Sequence, residues 1–234
     1  KKPEIRWFEG GKLNITENCI DRHLRIRGDK TALLFEPNDP KEASEHITYN
    51  DLYQRVNRLA NVLKEQGIKK GDRVCIYLPM IPELPVSLLA CARIGAVHSV
   101  VFGGFGPAAL NMRIKDAEAK VVITADIGMR RGKTIQLKSI VEEALINAPS
   151  VENVIVLRRQ DPPVDLRPGL ELDFMEIMEK APRECPVEVM DAEDPLFILY
   201  TSGSTGKPKG IVHTCAGYMV GTYYTSKYVF DLKD

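Results

Sequence analysis

Four hydroxyls, three glycines and two lysines crowd Tyr200-Thr201-Ser202-Gly203-Ser204-Thr205-Gly206-Lys207-Pro208-Lys209-Gly210. The run follows Leu196-Phe197-Ile198-Leu199, a short apolar stretch that reads as a buried strand. Glycines let such a loop curl its backbone N–H groups toward one point, because glycine takes positive φ without steric cost. Hydroxyls and a lysine ammonium add donors and positive charge. A phosphate chain is the ligand that suits such a concavity. The spacing is not that of the common nucleotide loop, which needs Gly-x-x-x-x-Gly-Lys-Ser/Thr with a hydroxyl on Mg²⁺ after the lysine. Here Pro208 follows Lys207 and has no N–H to give. A flexible polar linker would share the Ser/Thr/Gly content but not two lysines directly after a buried strand. The phosphate candidates are Thr201, Ser202, Gly203, Ser204, Thr205, Gly206 and Lys207, with Lys207 as the cation and Lys209 solvated.

A second charged run, Asp126-Ile127-Gly128-Met129-Arg130-Arg131-Gly132-Lys133, sets three cations beside two glycines after a strand. Such a run can hold a phosphate. It can equally be a solvated basic turn, and composition leaves both open. Phe102-Gly103-Gly104-Phe105 also follows a strand. Its missing side chains either admit a ligand to the backbone or serve a tight turn needing φ > 0. His213, just past the phosphate loop, invites a general-base reading, but nothing nearby in sequence orients it; a buried, hydrogen-bonded strand-end histidine is expected instead. Tyr218, Tyr223, Tyr224 and Tyr228 read as packing, and Asp191, Glu193 and Asp194 as a solvated turn rather than metal ligands. Cys215 is a thiol with no base in view.

These residues need a frame, and the pattern around them supplies one. Leu52, Val56, Leu59, Ala60 and Leu63 fall at helical spacing, Thr48 and Asp51 form a capping box, and Gly67 stands as the C-terminal cap. Strands at 31–35, 73–78, 96–102, 121–124 and 154–157 alternate with helices at 84–94, 107–116 and 137–148, the first of these entered from Pro82. That alternation predicts an α/β fold, mostly parallel sheets flanked by helices, with ligands at the carboxyl ends of the strands. A helix starts in 18–24, and 36–45 is a surface loop. Residues 158–195, rich in proline and acids, wrap the surface and hold one short helix near 174–180. Residues 211–213 form a short strand, and 216–229 a tyrosine-rich helix.

With 32 basic and 32 acidic residues the formal net charge is zero, so no nucleic-acid surface is indicated. No apolar run approaches the ~20 residues of a membrane span, and Lys1-Lys2-Pro3-Glu4 lacks an apolar signal core. Five scattered cysteines, never spaced Cys-x-x-Cys, argue against a disulfide framework or a zinc site and for a reducing, cytoplasmic setting.

The loop at 200–210 resembles the signature phosphate loop of the acyl-adenylate-forming enzymes, which include acyl-CoA synthetases, luciferases and peptide-synthetase adenylation domains. The N-terminal Trp-Phe-x-Gly-Gly-x-Leu-Asn and Asn-Cys-x-Asp-Arg-His, residues 7–14 and 18–23, are similar to the opening segment of the AMP-forming acetyl- and propionyl-CoA synthetases. The resemblance covers all 234 residues. It implies the incomplete N-terminal part of that family's large domain, with an arm at 1–46, βα repeats at 47–157, a wrapping segment at 158–195 and a phosphate-loop unit at 196–234. A C-terminal domain carrying the catalytic lysine is expected beyond Asp234, so no catalytic residue is assigned here and the piece alone is expected to be inactive. By resemblance, residues 201–207 grip the β- and γ-phosphates of Mg-ATP. Phe102, Gly103, Gly104, Arg130, Arg131, Gly132 and Lys133 meet coenzyme A, with Arg130 and Lys133 at its 3′-phosphate and Lys133 standing where arginine is frequent. The implied activity is acetate–CoA ligation through acetyl-adenylate, with acetate, ATP, CoA and Mg²⁺ as the small-molecule partners. Propionate as the acid, or a non-catalytic phosphate- or CoA-binding module, are the alternatives.

Overall fold

Val121-Val122-Ile123-Thr124-Ala125 is the kind of unbroken apolar and β-branched run that a strand covered on both faces requires, and all five residues are buried. The computed structural model describes residues 8–39, 41, 43–201 and 208–233. In chain order the strands are β1 (Lys12–Leu13), β2 (Thr31–Phe35), β3 (Glu45–Thr48), β4 (Arg73–Tyr77), β5 (Val97–Val100), β6 (Val121–Ala125) and β7 (Ile127–Arg130). They continue with β8 (Lys133–Gln136), β9 (Asn153–Leu157), β10 (Glu171–Asp173), β11 (Met190–Asp191), β12 (Pro195–Thr201) and β13 (Lys209–Thr214). The helices are α1 (Ile15–Cys19), α2 (Leu24–Arg27), α3 (Tyr49–Glu65), α4 (Glu83–Arg93), α5 (Pro107–Ala117), α6 (Leu137–Ala144), α7 (Phe174–Lys180) and α8 (Cys215–Tyr224).

The main sheet has seven strands in the order β10-β9-β6-β4-β5-β12-β13. Every neighbouring pair is parallel except β12 with β13. The chain moves from β4 to β5 in one direction, then crosses back past β4 to β6. Right-handed crossovers therefore place α4 and α5 on opposite faces. On one face α3 packs on α4 and α7; on the other α5 packs on α6. The reversal between β4 and β5 opens a crevice at their carboxyl ends, where open α/β sheets hold their ligands.

Local sequence explains the elements that frame this crevice. Thr48 Oγ1 accepts from the Asp51 N–H at 3.1 Å while the Asp51 carboxylate accepts from the Thr48 N–H, the capping box that starts α3. Gly67, past the end of α3, takes φ +80°. The segment after β9 runs along the α3–α4 face. Arg58 donates to the Met178 carbonyl, Asn61 to those of Pro182 and Glu184, and Arg93 to that of Cys185.

Three expectations change, and a fourth is refined. A helix does start within 18–24, α2 at Leu24, but it follows a break: α1 stops at Cys19, and Ile20, at φ −127° and ψ −67°, turns the chain. That turn buries Ile20 completely and brings Asp21 onto Arg93, whose two Nη atoms donate to its carboxylate at 2.9 and 3.0 Å. The helix read at 216–229 begins at Cys215 and passes into a π turn at Thr225–Val229. The wrapping segment adds a strand, β10, beside β9. The basic run after β6 is a hairpin rather than a simple turn.

Candidate functional site

At the carboxyl ends of β4 and β5 and against the β7–β8 hairpin lies a cleft of about 860 Å³. Leu78 to Ile81 form its floor, Val100 to Gly104 one wall, and Ile127 to Arg130 another. Phe35 to Asp39, read from sequence only as surface loop, close a further side.

Tyr77, the last residue of β4, pins the glycine turn. Its hydroxyl donates to the Phe105 carbonyl at 2.6 Å and reaches the Gly103 carbonyl at 3.5 Å. Burial pushes its phenol up to about 12, which keeps the proton on the oxygen and the donor in place. Neither Gly103 nor Gly104 has a positive φ, so the tight-turn account of this pair is corrected. Gly104 answers to crowding instead. A Cβ there would collide with the Arg130 guanidinium and sit 2.6 Å from Cε1 of Phe102.

The hairpin supplies the cations. Its two-residue tip is Arg131-Gly132, at φ +50° and +73°, the pair of left-handed residues that primed turns use. Arg130 and Lys133 face each other across the strands. Directly opposed like charges are destabilising, and an anion between them removes that cost. Arg130 nevertheless has a seat, with its guanidinium carbon 4.9 Å from the centre of the Phe102 ring. Below it, Gly128 lies close under Leu137, where a Cβ would come within 3.1 Å. The hairpin base is held by Asp126, buried, whose carboxylate accepts from the N–H groups of Ile127, Arg159 and Gln160 at 2.7 to 3.0 Å. Phe102, Gly103, Gly104 and Arg130 thus line one cleft, while Arg131, Gly132 and Lys133 stand at the exposed tip beside it.

Thr201 ends β12. Since β12 runs parallel to β5, with Phe197 opposite His98, Thr201 emerges at the same sheet edge as the glycine turn. Ser202, Gly203, Ser204, Thr205, Gly206 and Lys207 lie outside the described residues. Lys209 is exposed on β13. Tyr200, one residue before Thr201, donates its hydroxyl to the Asp116 carboxylate at 2.6 Å.

His213 is half-buried rather than buried, and its ring stacks on Phe197 at 4.4 Å; the buried histidine of this region is His98. Among the described residues His98 Nδ1 has no hydrogen-bond partner, and burial pulls its imidazole down to about 4. Asp191 and Asp194 are not simply solvated: they pair with Lys12 and Lys70. Tyr218 packs edge-on against Phe197, whereas Tyr223, Tyr224 and Tyr228 are exposed and touch one another. All five cysteines are free. Among the described residues no group of three or more His, Cys, Asp or Glu side chains converges on a metal position. No helix among them is long and apolar enough to cross a membrane.

Sequence reasoning missed Tyr77, Asp126, Arg113 and Asp116. Tyr77 ends an apolar strand and Asp126 interrupts one, which is the local signal each offered; Arg113 and Asp116 looked like ordinary polar positions of a helix.

Comparison with known proteins bears on this arrangement. The family model described as AMP-binding enzyme matches residues 20–234. An acetyl-coenzyme A synthetase of Halorhodospira halophila is 59% identical over 233 residues, covering 100% of this chain and 36% of that protein. One from Alkalilimnicola ehrlichii is 57% identical over 234 residues with the same coverage. The chain therefore spans about a third of the length of these relatives. Among solved structures, an acetoacetyl-CoA synthetase from Streptomyces lividans superimposes with a TM-score of 0.89 at 32% identity, covering 99% of this chain and 35% of that one. On the family match and the shared fold, this chain belongs to the AMP-binding enzyme family.

Proposed function

We propose that this chain forms the coenzyme A turn and the pyrophosphate-gripping loop of an AMP-forming acid–thiol ligase whose acid is acetate. The observation that carries the reading is the contact of Arg130 with Phe102 and Gly104 in one cleft, at the sheet edge where Thr201 ends. The names of the 59% and 57% identical relatives support acetate.

In this reaction an acetate oxygen attacks the α-phosphorus of Mg-ATP, forming acetyl-AMP and releasing pyrophosphate. The coenzyme A thiol then attacks the acetyl carbon, giving acetyl-CoA, and AMP departs with the carboxylate oxygen. Negative charge builds on the leaving phosphates in the first step, so donors that grip them lower its barrier. Thr201 to Lys207 fill that role, and Mg²⁺ arrives with the nucleotide as substrate. In the second step Arg130 and Lys133 hold the 3′-phosphate of coenzyme A, whose charge relieves their mutual repulsion. Lysine at 133 keeps the charge without the bidentate fork of arginine. Glycine at 104 leaves the room that Arg130 and Phe102 occupy, and so seats the cation at the coenzyme's side of the cleft. Five free thiols fit a cytoplasmic enzyme.

The test is ATP–pyrophosphate exchange by the full reading frame that contains this chain, with acetate and then propionate. Exchange that favours acetate supports the reading; better exchange with propionate moves the substrate by one methylene; none with either acid leaves a phosphate-binding module. Arg130→Ala should raise the KM for coenzyme A and leave acetate-dependent exchange nearly intact. Equal loss in both half-reactions would remove Arg130 from the coenzyme site.

A further inference from the structure

Arg113, on α5, is 7% exposed, and the only hydrogen bond described for it runs from Nη1 to the Ala109 carbonyl at 2.7 Å. Among the described residues no carboxylate lies within ion-pair distance of it, although buried cations are normally paired. Two aromatic faces stand in for a counter-charge. Its guanidinium carbon lies 4.6 Å from the Phe105 ring centre and 5.5 Å from that of Tyr200. Phe105 closes the glycine turn, and meets Phe102 edge-on at 6.0 Å. Tyr200 directly precedes Thr201, the last residue of β12. The cation is thus in contact with one aromatic residue from each half of the proposed site.

The surroundings of Tyr200 are shaped to keep its ring there. Its hydroxyl is tied to Asp116, three residues along the same helix from Arg113. Opposite it on β13 stands Gly210, where a Cβ would come within 3.2 Å of the tyrosine ring. One helix therefore holds Tyr200 at both the ring and the hydroxyl, and holds Phe105 by the same guanidinium.

We propose that Arg113 is a shared positioning residue, setting the spacing between the glycine turn and the strand end that bears the phosphate loop, so that nucleotide and coenzyme sites are aligned by one buried cation. This rests on the reading in the preceding subsection. Arg113 touches neither reacting group; it acts through Phe105 and Tyr200.

The experiment uses the full reading frame and four variants: Arg113→Met, Arg113→Lys, Tyr200→Phe and Arg130→Ala. It reads the KM for ATP in acetate-dependent pyrophosphate exchange without coenzyme A, the KM for coenzyme A in acetyl-CoA formation, and the urea midpoint. Arg113→Met, which keeps the bulk and loses the charge, should raise both KM values together, each by roughly threefold to tenfold, as loss of a desolvated cation–π contact implies. Arg113→Lys should recover part of both shifts, because an ammonium keeps the charge but not the flat stack. Tyr200→Phe keeps the ring under the cation and should move both values less. Arg130→Ala should raise the coenzyme KM alone. A folded Arg113→Met protein with one or neither KM shifted overturns the proposal. Should Arg113→Met not fold, Tyr200→Leu replaces it; a rise in the ATP KM alone then overturns the proposal, and a joint rise supports it. A wild-type protein with no exchange at all refutes the underlying ligase reading instead.

Discussion

The β6–β4–β5 centre of the sheet and its β12–β13 margin are made of similar apolar residues in different surroundings. In the centre Val74, Ile76, Val121, Val122 and Ile123 are wholly buried, covered by helices on both faces. At the margin Leu199, Ile211 and Val212 are 42%, 45% and 54% exposed, and β13 leaves an antiparallel edge. The turns that wall the cleft grow from the centre and are fixed by Tyr77 and Asp126 before any ligand arrives. The strand that leads into the proposed phosphate loop belongs to the margin, which is joined to the centre by the β5–β12 register, the His98–Phe197 stack at 5.4 Å and the Arg113 contacts. The site proposed above thus draws one half from the centre and the other from the margin.

The largest effect should come from cutting each region with the same substitution. Ile123→Ala opens a cavity in the centre and should cost about 3 to 4 kcal/mol by urea denaturation, whereas Ile211→Ala at the margin should stay within about 0.5 kcal/mol. Equal costs would erase the distinction. The junction of centre and margin has a pH signature. His98 is held near 4 in the folded chain against 6.5 unfolded, so the unfolded state takes up a proton that the folded state refuses. Stability is intact above pH 6.5 and falls as pH drops toward 4, by roughly 3 kcal/mol in total. His98→Phe should flatten that part of the pH–stability curve, and an unchanged slope would exonerate the histidine. Tyr77→Phe removes the hydroxyl that pins the glycine turn and should cost about 1 kcal/mol, with a raised coenzyme KM in the full protein and little change in pyrophosphate exchange. Loss of exchange instead would show that the half drawn from the centre supports both. Smallest is Arg131→Gly at the hairpin tip, where relief of the left-handed φ should gain about 0.5 to 1 kcal/mol after the entropy of glycine is counted. A loss of stability there would mean that the arginine side chain holds the tip.

What could be read beforehand follows from how far each signal reaches. The capping box of Thr48 and Asp51, Gly67, and the helix at Phe174–Lys180 announce themselves within a few residues, and all three stand where the sequence places them. Strand β10 does not. It carries Glu171 and Asp173, buried acids that read as loop. Lys138, 33 positions upstream, meets Glu171 at 3.0 Å, and Arg167 joins it. Burial pushes that carboxyl up, but the Arg167 amide and the two cations outweigh it and hold it below its usual range. The β7–β8 hairpin escaped because its tip is Arg-Gly, where Asn-Gly or Asp-Gly would have signalled a primed turn. In the site, the motif residues were visible by type, but the reason for Gly104 was not. Its constraint is set by Arg130 and Phe102, one of them 26 positions away, and no local rule registers it.

The N-terminal arm carries one further consequence, for the order in which the protein is made. Asn14, 1% exposed, donates its amide to the carbonyls of Ala92, Arg93 and Glu188, the last 174 positions downstream. At translation rates of about 5 to 20 residues per second, roughly 10 to 35 seconds pass between the synthesis of Asn14 and that of its final partner. Ala92 and Arg93 are made early in that interval, but the Glu188 carbonyl that completes the hold on Asn14, and the Cys185 carbonyl that accepts from Arg93, come only at its end. A segment made early is thus among the last to be fully held, and a nascent chain stalled before Glu188 should leave this arm more open to proteases and chaperones than the centre of the sheet.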